Sequence, residues 1–290
     1  MAGCTLCPRM CGVDRSVSVG YCGSGVLIKA ARAAKHLWEE PCISGDKGSG
    51  TVFFSGCTLG CVFCQNREIS RGGVGKTLTA EQLAAAFRRL EEQGVHNLNL
   101  VTPTHFTPQI LQALDLAKPR VPIVMNCGGY ERIETLKRWE GKIDVYLPDL
   151  KYYSPELSGK YSAAPDYFAV ASSAILEMHR QQPNLVWEGD LLKKGLIVRH
   201  LVLPGCWKDS LKLLDFLDNN LPKDGFLLSL MSQYTPTAAC TAYPEINRRV
   251  TTYEYRQVAD RAAELVFSGF AQDRRSAKEE YTPPFDLEGV

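Results

Sequence analysis

The stretch TVFFSGCTLGCVFCQN, residues 51–66, sets the reading of the whole chain. Its first five residues are uncharged and rich in β-branched and aromatic side chains, the pattern of a buried strand. That strand runs straight into Cys57, Cys61 and Cys64, a C-x3-C-x2-C spacing. Three thiolates on one short loop can hold three irons of a [4Fe–4S] cluster and leave the fourth iron without a protein ligand. An iron left open can bind and activate a small molecule, whereas a cluster closed by four thiolates only passes electrons. Structural zinc is the competing chemistry, but its motifs more often pair C-x2-C units and need a fourth ligand.

Downstream, the strand-then-helix unit recurs. NLNLV (97–101), VPIVMN (121–126), IDVYLP (143–148), GLIVRHLVLPG (195–205) and GFLLSLM (225–231) read as further strands. A helix opens at Thr79, with Gln82 placed to complete a capping box, and another starts around Pro108 and runs to about Lys118. Further helices are expected over Glu131 to Glu140, between Pro155 and Gln181, through Leu211 to Leu217, and from about Thr252 to Phe267. Six strands, each followed by helix, imply parallel pairing with right-handed crossovers. The expected fold is α/β: a partial (β/α)6 TIM-like barrel over residues 49–270, with reactive groups at the carboxyl ends of its strands. Residues 271–290 are a charged, proline-containing tail, expected to be loosely held.

Upstream, residues 1–48 form a small cysteine-rich N-terminal extension, with one short helix expected around Val26 to Trp38. Cys4, Cys7, Cys11 and Cys22 follow a C-x2-C-x3-C-x10-C spacing, which suits either zinc or a second [4Fe–4S] cluster. A segment this short buries little by itself, so a metal would help to order it. The other four of the eleven cysteines, Cys42, Cys127, Cys206 and Cys240, are scattered; Cys42 and Cys127 could contribute to a site, but isolated cysteines are more often buried and inert.

Bulk composition narrows the function classes. Lys plus Arg number 33 against 32 Asp plus Glu, and a net charge of +1 gives no electrostatic reason to expect nucleic acid or an anionic membrane as partner. No apolar run approaches the roughly 18 residues that a membrane span needs. MAGCTLCPRM lacks the apolar core of a secretory signal, so a cytoplasmic location is expected. In a reducing compartment, eleven cysteines point to metal or cluster ligation and not to disulfides.

Cys57, Cys61 and Cys64 with Phe63 between them, C-x3-C-x-φ-C with φ aromatic, resemble the radical S-adenosylmethionine signature. The resemblance extends to the branch related to pyruvate formate-lyase activating enzyme, and within it to PflX-like proteins. It is carried by CTLCPRMCGVDR, GYCGSG, HLWEEPCISG, GSGTVFFSGC, CQNREIS, VTPTH, NCGGYE, YLPDLKYY and RHLVLPG. It implies that S-adenosylmethionine chelates the open iron through its amino and carboxylate groups, with Phe63 beside the adenine. One electron then releases methionine and a 5′-deoxyadenosyl radical that takes a hydrogen atom from substrate. It further implies an electron donor of flavodoxin or ferredoxin type and, as substrate, a glycyl-radical protein or another peptide.

The strand ends supply the remaining candidates. Where many members of the superfamily carry a Gly-Gly-Glu stretch for the methionine amino group, this chain has Thr102, Pro103, Thr104 and His105, so Thr102, Thr104 and His105 correspond by position only. Asn126 ends the third strand. Asp149, Leu150 and Lys151 match an Asp-Leu-Lys of the activating-enzyme branch, whose polar groups face S-adenosylmethionine. Arg199 and His200 lie on opposite faces of the fifth strand, so only one points into the barrel. Arg199 suits pairing with a carboxylate. Gln233 and Tyr234 follow the sixth strand.

RGGVGKT (71–77) resembles a deviant phosphate-binding loop, but such a loop must join a buried strand to a helix starting at Gly-Lys-Thr. Here a polar segment precedes it and the next helix caps at Thr79, so the glycines read as a turn. Three readings of function remain. The first is glycyl-radical activation, the second is radical modification of a small molecule or peptide, and the third is an iron–sulfur electron-transfer or binding protein.

Overall fold

The computed structural model describes residues 3–271 and 283–290. Its centre is one sheet with strand order β10-β9-β8-β6-β5-β4-β2-β1-β3. The run from β2 (Ser49–Phe54) through β4 (Leu98–Val101), β5 (Ile123–Cys127), β6 (Val145–Pro148), β8 (Leu191–Leu201) and β9 (Leu227–Met231) is parallel throughout, which is the six-unit α/β core expected from the sequence. A short strand β10 (Gly269–Ala271) extends it in parallel, while β7 (Val186–Glu188) pairs antiparallel with β8.

Side-chain parity divides the sheet into two faces. One face sends Val52, Phe54, Leu100, Met125, Tyr146, Val198 and Leu230 into the main core, against the flanking helices. The opposite parity lines the barrel interior. Val124, Val145, Ile197 and Leu227, near the strand starts, meet Cys42 and Ile43 of the short helix Pro41–Ser44, which closes that end. Above this plug the interior turns polar, with Asn99, Asn126, Asp149, Arg199 and Ser229. Helix Ala80–Glu92 starts in the expected capping box: the Gln82 N–H donates to Thr79 Oγ1 at 3.2 Å and the Thr79 N–H to Gln82 Oε1 at 2.9 Å.

Four expectations need correction or completion. The segment expected as a helix over Val26 to Trp38 is a strand, β1 (Ile28–His36). Its alanines, lysines and arginine favour a helix locally, but it pairs antiparallel with β2 on one side and with β3 (Lys76–Leu78) on the other. Two paired edges outweigh that propensity. The helix expected over Glu131 to Glu140 shrinks to Ile133–Leu136 plus a 3-10 turn, Lys137–Trp139. The Glu131 side chain is buried and drawn to Thr104, so the helix starts after it. The tail is not loose where it is described: the Leu287 N–H donates to Ala31 O (3.1 Å), the Ala33 N–H donates to Glu288 O (2.9 Å), and Arg32 pairs with Asp286 and Glu288. Residues 272–282 of that call lie outside the described residues. Finally, Thr77 of RGGVGKT sits in β3 and does not open a helix, which removes the phosphate-loop reading. Among the described residues no helix is long and apolar enough to cross a membrane.

Candidate active site at the strand ends

The loop after β2 carries the cysteine triplet. Gly60 adopts φ +83°, and a Cβ there would collide with the Arg71 guanidinium, so both backbone freedom and lack of a side chain are used. Each sulfur of the triplet accepts a hydrogen bond from this chain. Cys57 Sγ accepts from the Leu59 N–H (3.4 Å), Cys61 Sγ from the Ser162 hydroxyl (2.9 Å) and Cys64 Sγ from the Ser70 hydroxyl (3.5 Å). The three thiols are also electrostatic neighbours, and burial pushes the Cys64 thiol up to about 11. Among the described residues no three His, Cys, Asp or Glu side chains converge on a single-ion geometry. A [4Fe–4S] cluster does not require that convergence, since each thiolate binds a different iron. Three electrostatically coupled sulfurs, each accepting a hydrogen bond, fit such a cluster. Phe63 packs between Tyr152 and Tyr234, with ring centroids 6.3 and 5.8 Å away.

The N-terminal extension is fastened to this loop. The Cys57 N–H donates to Cys22 O (3.3 Å), and Arg9 reaches Thr58 O (2.8 Å) and Ser162 O (3.0 Å) while its guanidinium lies 4.1 Å from the Tyr21 ring centroid. Arg71 ties Tyr21 O (2.9 Å) to Leu59 O (3.0 Å). Cys4, Cys7 and Cys22 influence one another electrostatically, and burial pushes the Cys7 thiol up to about 12. Cys11 and Cys22 flank Gly20, whose absent Cβ would lie 3.2 and 3.6 Å from their sulfurs. The two cysteine groups are therefore neighbours. Cys42, Cys127, Cys206 and Cys240 are all buried.

At the end of β4, Thr102 holds φ +59°, an uncommon conformation for a β-branched residue, and its N–H donates to Asn126 O at 2.8 Å. The Thr104 hydroxyl donates to Glu131 Oε2 at 2.6 Å, and burial pushes the Glu131 carboxyl up to about 7. His105 is buried with Nε2 on Ser55 O at 2.8 Å, which makes that nitrogen the donor; burial lowers its pKa to about 4 and keeps the ring neutral. It ties this turn to the end of β2.

The interior charges form one connected group. Arg199 donates through Nε to Asp149 Oδ1 (2.8 Å) and through a terminal nitrogen to Asn126 Oδ1 (2.6 Å). Lys151 pairs with Asp149 Oδ2 at 2.6 Å. Glu39 enters from the loop after β1: its Oε1 accepts from Asn99 (2.8 Å), its Oε2 accepts from Asn126 (3.3 Å), and Arg199 lies 3.7 Å away. Burial alone would raise the Asp149 carboxyl, but Arg199 and then Lys151 hold it below its ordinary value. Burial likewise opposes the Lys151 ammonium, and Asp149 followed by Cys61 outweighs it. Glu39 is pushed up to about 7, mainly by burial. Gly129, at φ +76°, sits where any Cβ would strike the Asp149 carbonyl, so the backbones of two strand ends approach each other there.

The structure thus brings Asp149, Lys151, Arg199 and Asn126 together, and Lys151 acts electrostatically on Cys61. His200 faces the other way, with Nδ1 on Leu150 O (2.6 Å) and Nε2 on the Ser210 hydroxyl (2.8 Å), a packing role. Tyr234 donates to Ile246 O (2.8 Å) beside Phe63, and Gln233 accepts at its carbonyl from Gln65 (3.3 Å). Sequence reasoning passed over Glu39, Asn99 and Glu131. The one available signal for Glu39 was the paired glutamate inside HLWEEPCISG.

Comparison with known proteins agrees with this layout. The family model described as the radical SAM superfamily matches residues 51–182. The uncharacterized protein MJ0674 of Methanocaldococcus jannaschii is 30% identical over 274 residues, covering 89% of this chain and 74% of that protein. Among solved structures, a radical SAM methyltransferase from Sphaerobacter thermophilus matches with TM-score 0.52 at 16% identity, over 77% of this chain and 65% of that one. Streptococcus suis SuiB bound to precursor peptide SuiA matches with TM-score 0.51 at 12% identity, over 76% of this chain and 48% of that one. The chain spans about two thirds and half the length of these two structures. At such identities the likeness shows the fold.

Proposed function

Because the chain belongs to the radical SAM superfamily, we propose that it is an enzyme that cleaves S-adenosylmethionine reductively at a [4Fe–4S] cluster held by Cys57, Cys61 and Cys64. The observation that carries this is the triplet itself: three electrostatically coupled thiols at the end of the first parallel strand, each accepting one hydrogen bond. When bound, the reduced cluster and S-adenosylmethionine supply a 5′-deoxyadenosyl radical that abstracts hydrogen from substrate. The protein's part is positioning and exclusion of water. Phe63 and its tyrosine neighbours wall one side; Thr102 and Thr104 shape the turn at the end of β4, the Thr104 hydroxyl fixing Glu131; Asp149 and Lys151 offer fixed charges close to the cluster loop. A flavodoxin- or ferredoxin-type protein is the proposed electron donor.

The resemblance to activating enzymes makes a glycine Cα of a partner protein the first candidate substrate. The cavity of about 890 Å³ beside Arg199 favours the second reading, modification of a small molecule or a peptide segment that fits inside. The test is anaerobic reconstitution with iron and sulfide, reduction, addition of S-adenosylmethionine, and mass spectrometry for 5′-deoxyadenosine. Its formation above the unreduced control supports the enzyme; an intact cluster without it supports an electron carrier.

For Cys4, Cys7, Cys11 and Cys22 we propose a second metal with a structural role. Cys7→Ala is expected to lower thermal stability and to remove about one zinc, or about four irons, per chain while the iron of the triplet stays. Metal analysis of the variant checks this, and unchanged metal content and stability would refute it.

A further inference from the structure

One carboxylate oxygen beside the interior charge group lacks a hydrogen-bond donor among the described residues. Glu40, next in sequence to Glu39, is 9% exposed and lines the cavity of about 890 Å³. Its Oε2 is buried with no hydrogen-bond partner among the described residues. Arg199 is already engaged by Asp149 and Asn126, and Lys151 by Asp149. Asp149, Glu40 and Glu39 all act electrostatically on Arg199, and of the three only Glu40 has a buried oxygen without a hydrogen-bond donor among the described residues. A buried carboxylate oxygen left without a donor costs free energy that a ligand cation can offset.

The cavity runs along the β9–β10 side of the sheet, where the loop after β1 bounds it instead of another strand. Glu40 lies at its lower end and Gln233 at its upper end, with Leu37, Trp38 and Phe270 as apolar wall. From Ser229 to Met231, within β9, this wall rises about 7 Å, at roughly 3.3 Å per residue. A slot with an apolar wall and, at its foot, a carboxylate oxygen that accepts no hydrogen bond among the described residues suits an aliphatic stem ending in a cation.

We propose that this cavity is the substrate pocket and that it takes a primary amine on an aliphatic stem, its ammonium seated on Glu40. The proposal rests on the radical-enzyme reading for the word substrate, but its test does not. The amine can belong to a free alkylamine or to a lysine side chain of a peptide.

The test is calorimetric titration of the reconstituted protein, with S-adenosylmethionine present. The probes are n-hexylamine, hexan-1-ol, hexanoate, and the capped peptides acetyl-Gly-Lys-Gly-amide and acetyl-Gly-norleucine-Gly-amide. The expected result is that an amine binds about tenfold or more tighter than its neutral and anionic counterparts, and that Glu40→Gln abolishes that preference. Binding of hexylamine alone assigns a free amine, and binding of the lysine peptide alone assigns a peptide. Equal affinity for amine and alcohol, no binding by either amine, or a preference untouched by Glu40→Gln overturns the proposal. Should the variant not fold, the wild-type ranking of amine, alcohol and hexanoate decides alone. Deoxyadenosine formation is read separately. Amine binding without cleavage would leave this pocket and sink the enzyme reading; cleavage without amine binding would do the reverse.

Discussion

Cys61→Ala is expected to reduce 5′-deoxyadenosine formation to the level of protein without iron, with Cys57→Ala and Cys64→Ala behaving alike. The size of the effect follows from the ligand count. Three thiolates are the minimum that leaves one iron open, so two leave a second iron without a protein anchor. Cys61 is the most constrained of the three: it is buried, it accepts from Ser162 at 2.9 Å, and Lys151 influences it electrostatically. Cys206→Ala, which removes a buried thiol outside the loop, is expected to keep cleavage. Iron and sulfide content measured beside deoxyadenosine separates cluster loss from misfolding. Cleavage retained in any triplet variant would defeat the assignment.

The second large effect is on stability. Arg199→Leu removes the cation shared by Asp149 and Glu39, both of which stay buried. Breaking a buried ion pair from one side costs about 3–5 kcal/mol, read as a lower denaturation midpoint at unchanged slope. Arg199→Lys keeps the charge but loses the planar fork that reaches Asp149 and Asn126 together, so a smaller loss is expected. The deficit of Arg199→Leu also depends on pH. Glu39 already has a folded pKa of about 7, above its ordinary 4.5, so its ionisation weakens the fold as pH rises through that window. Arg199 is the main influence pulling that value down, so its removal raises the folded pKa further. The gap between variant and wild type should therefore be wider at pH 8 than at pH 5. A gap that narrows with rising pH would contradict this account.

What could be read in advance follows the range of the interactions. The six parallel strands were legible because a buried parallel strand writes a short continuous apolar run. The cysteine triplet was legible because its ligands are neighbours in sequence. Arg199 could be singled out over His200 only as one of two alternating faces, and the resemblance carried the rest. Strand β1 was misread because its Ala, Lys and Arg side chains say helix, while its pairing partners decide strand. Glu39 was missed because its partners Asn99 and Asn126 lie 60 and 87 residues away, and the paired glutamates of HLWEEPCISG do not say which distant groups they meet. Glu131 was missed in the same way, since it is recruited by Thr104 from 27 residues upstream.

The docking of the last residues on β1 has a consequence for biogenesis. Arg32 and Asp286 are 254 residues apart in the chain. At about 5–20 residues per second of synthesis, the backbone of β1 around Ala31 and Ala33 waits about 13–50 s for its partners at Leu287 and Glu288 to be made. During that interval it is an open strand edge, the kind of surface on which nascent chains pair wrongly. Residues 286–288 thus act as a closing stitch on a strand made some 254 residues earlier, and the edge around Ala31 and Ala33 is covered only when they arrive.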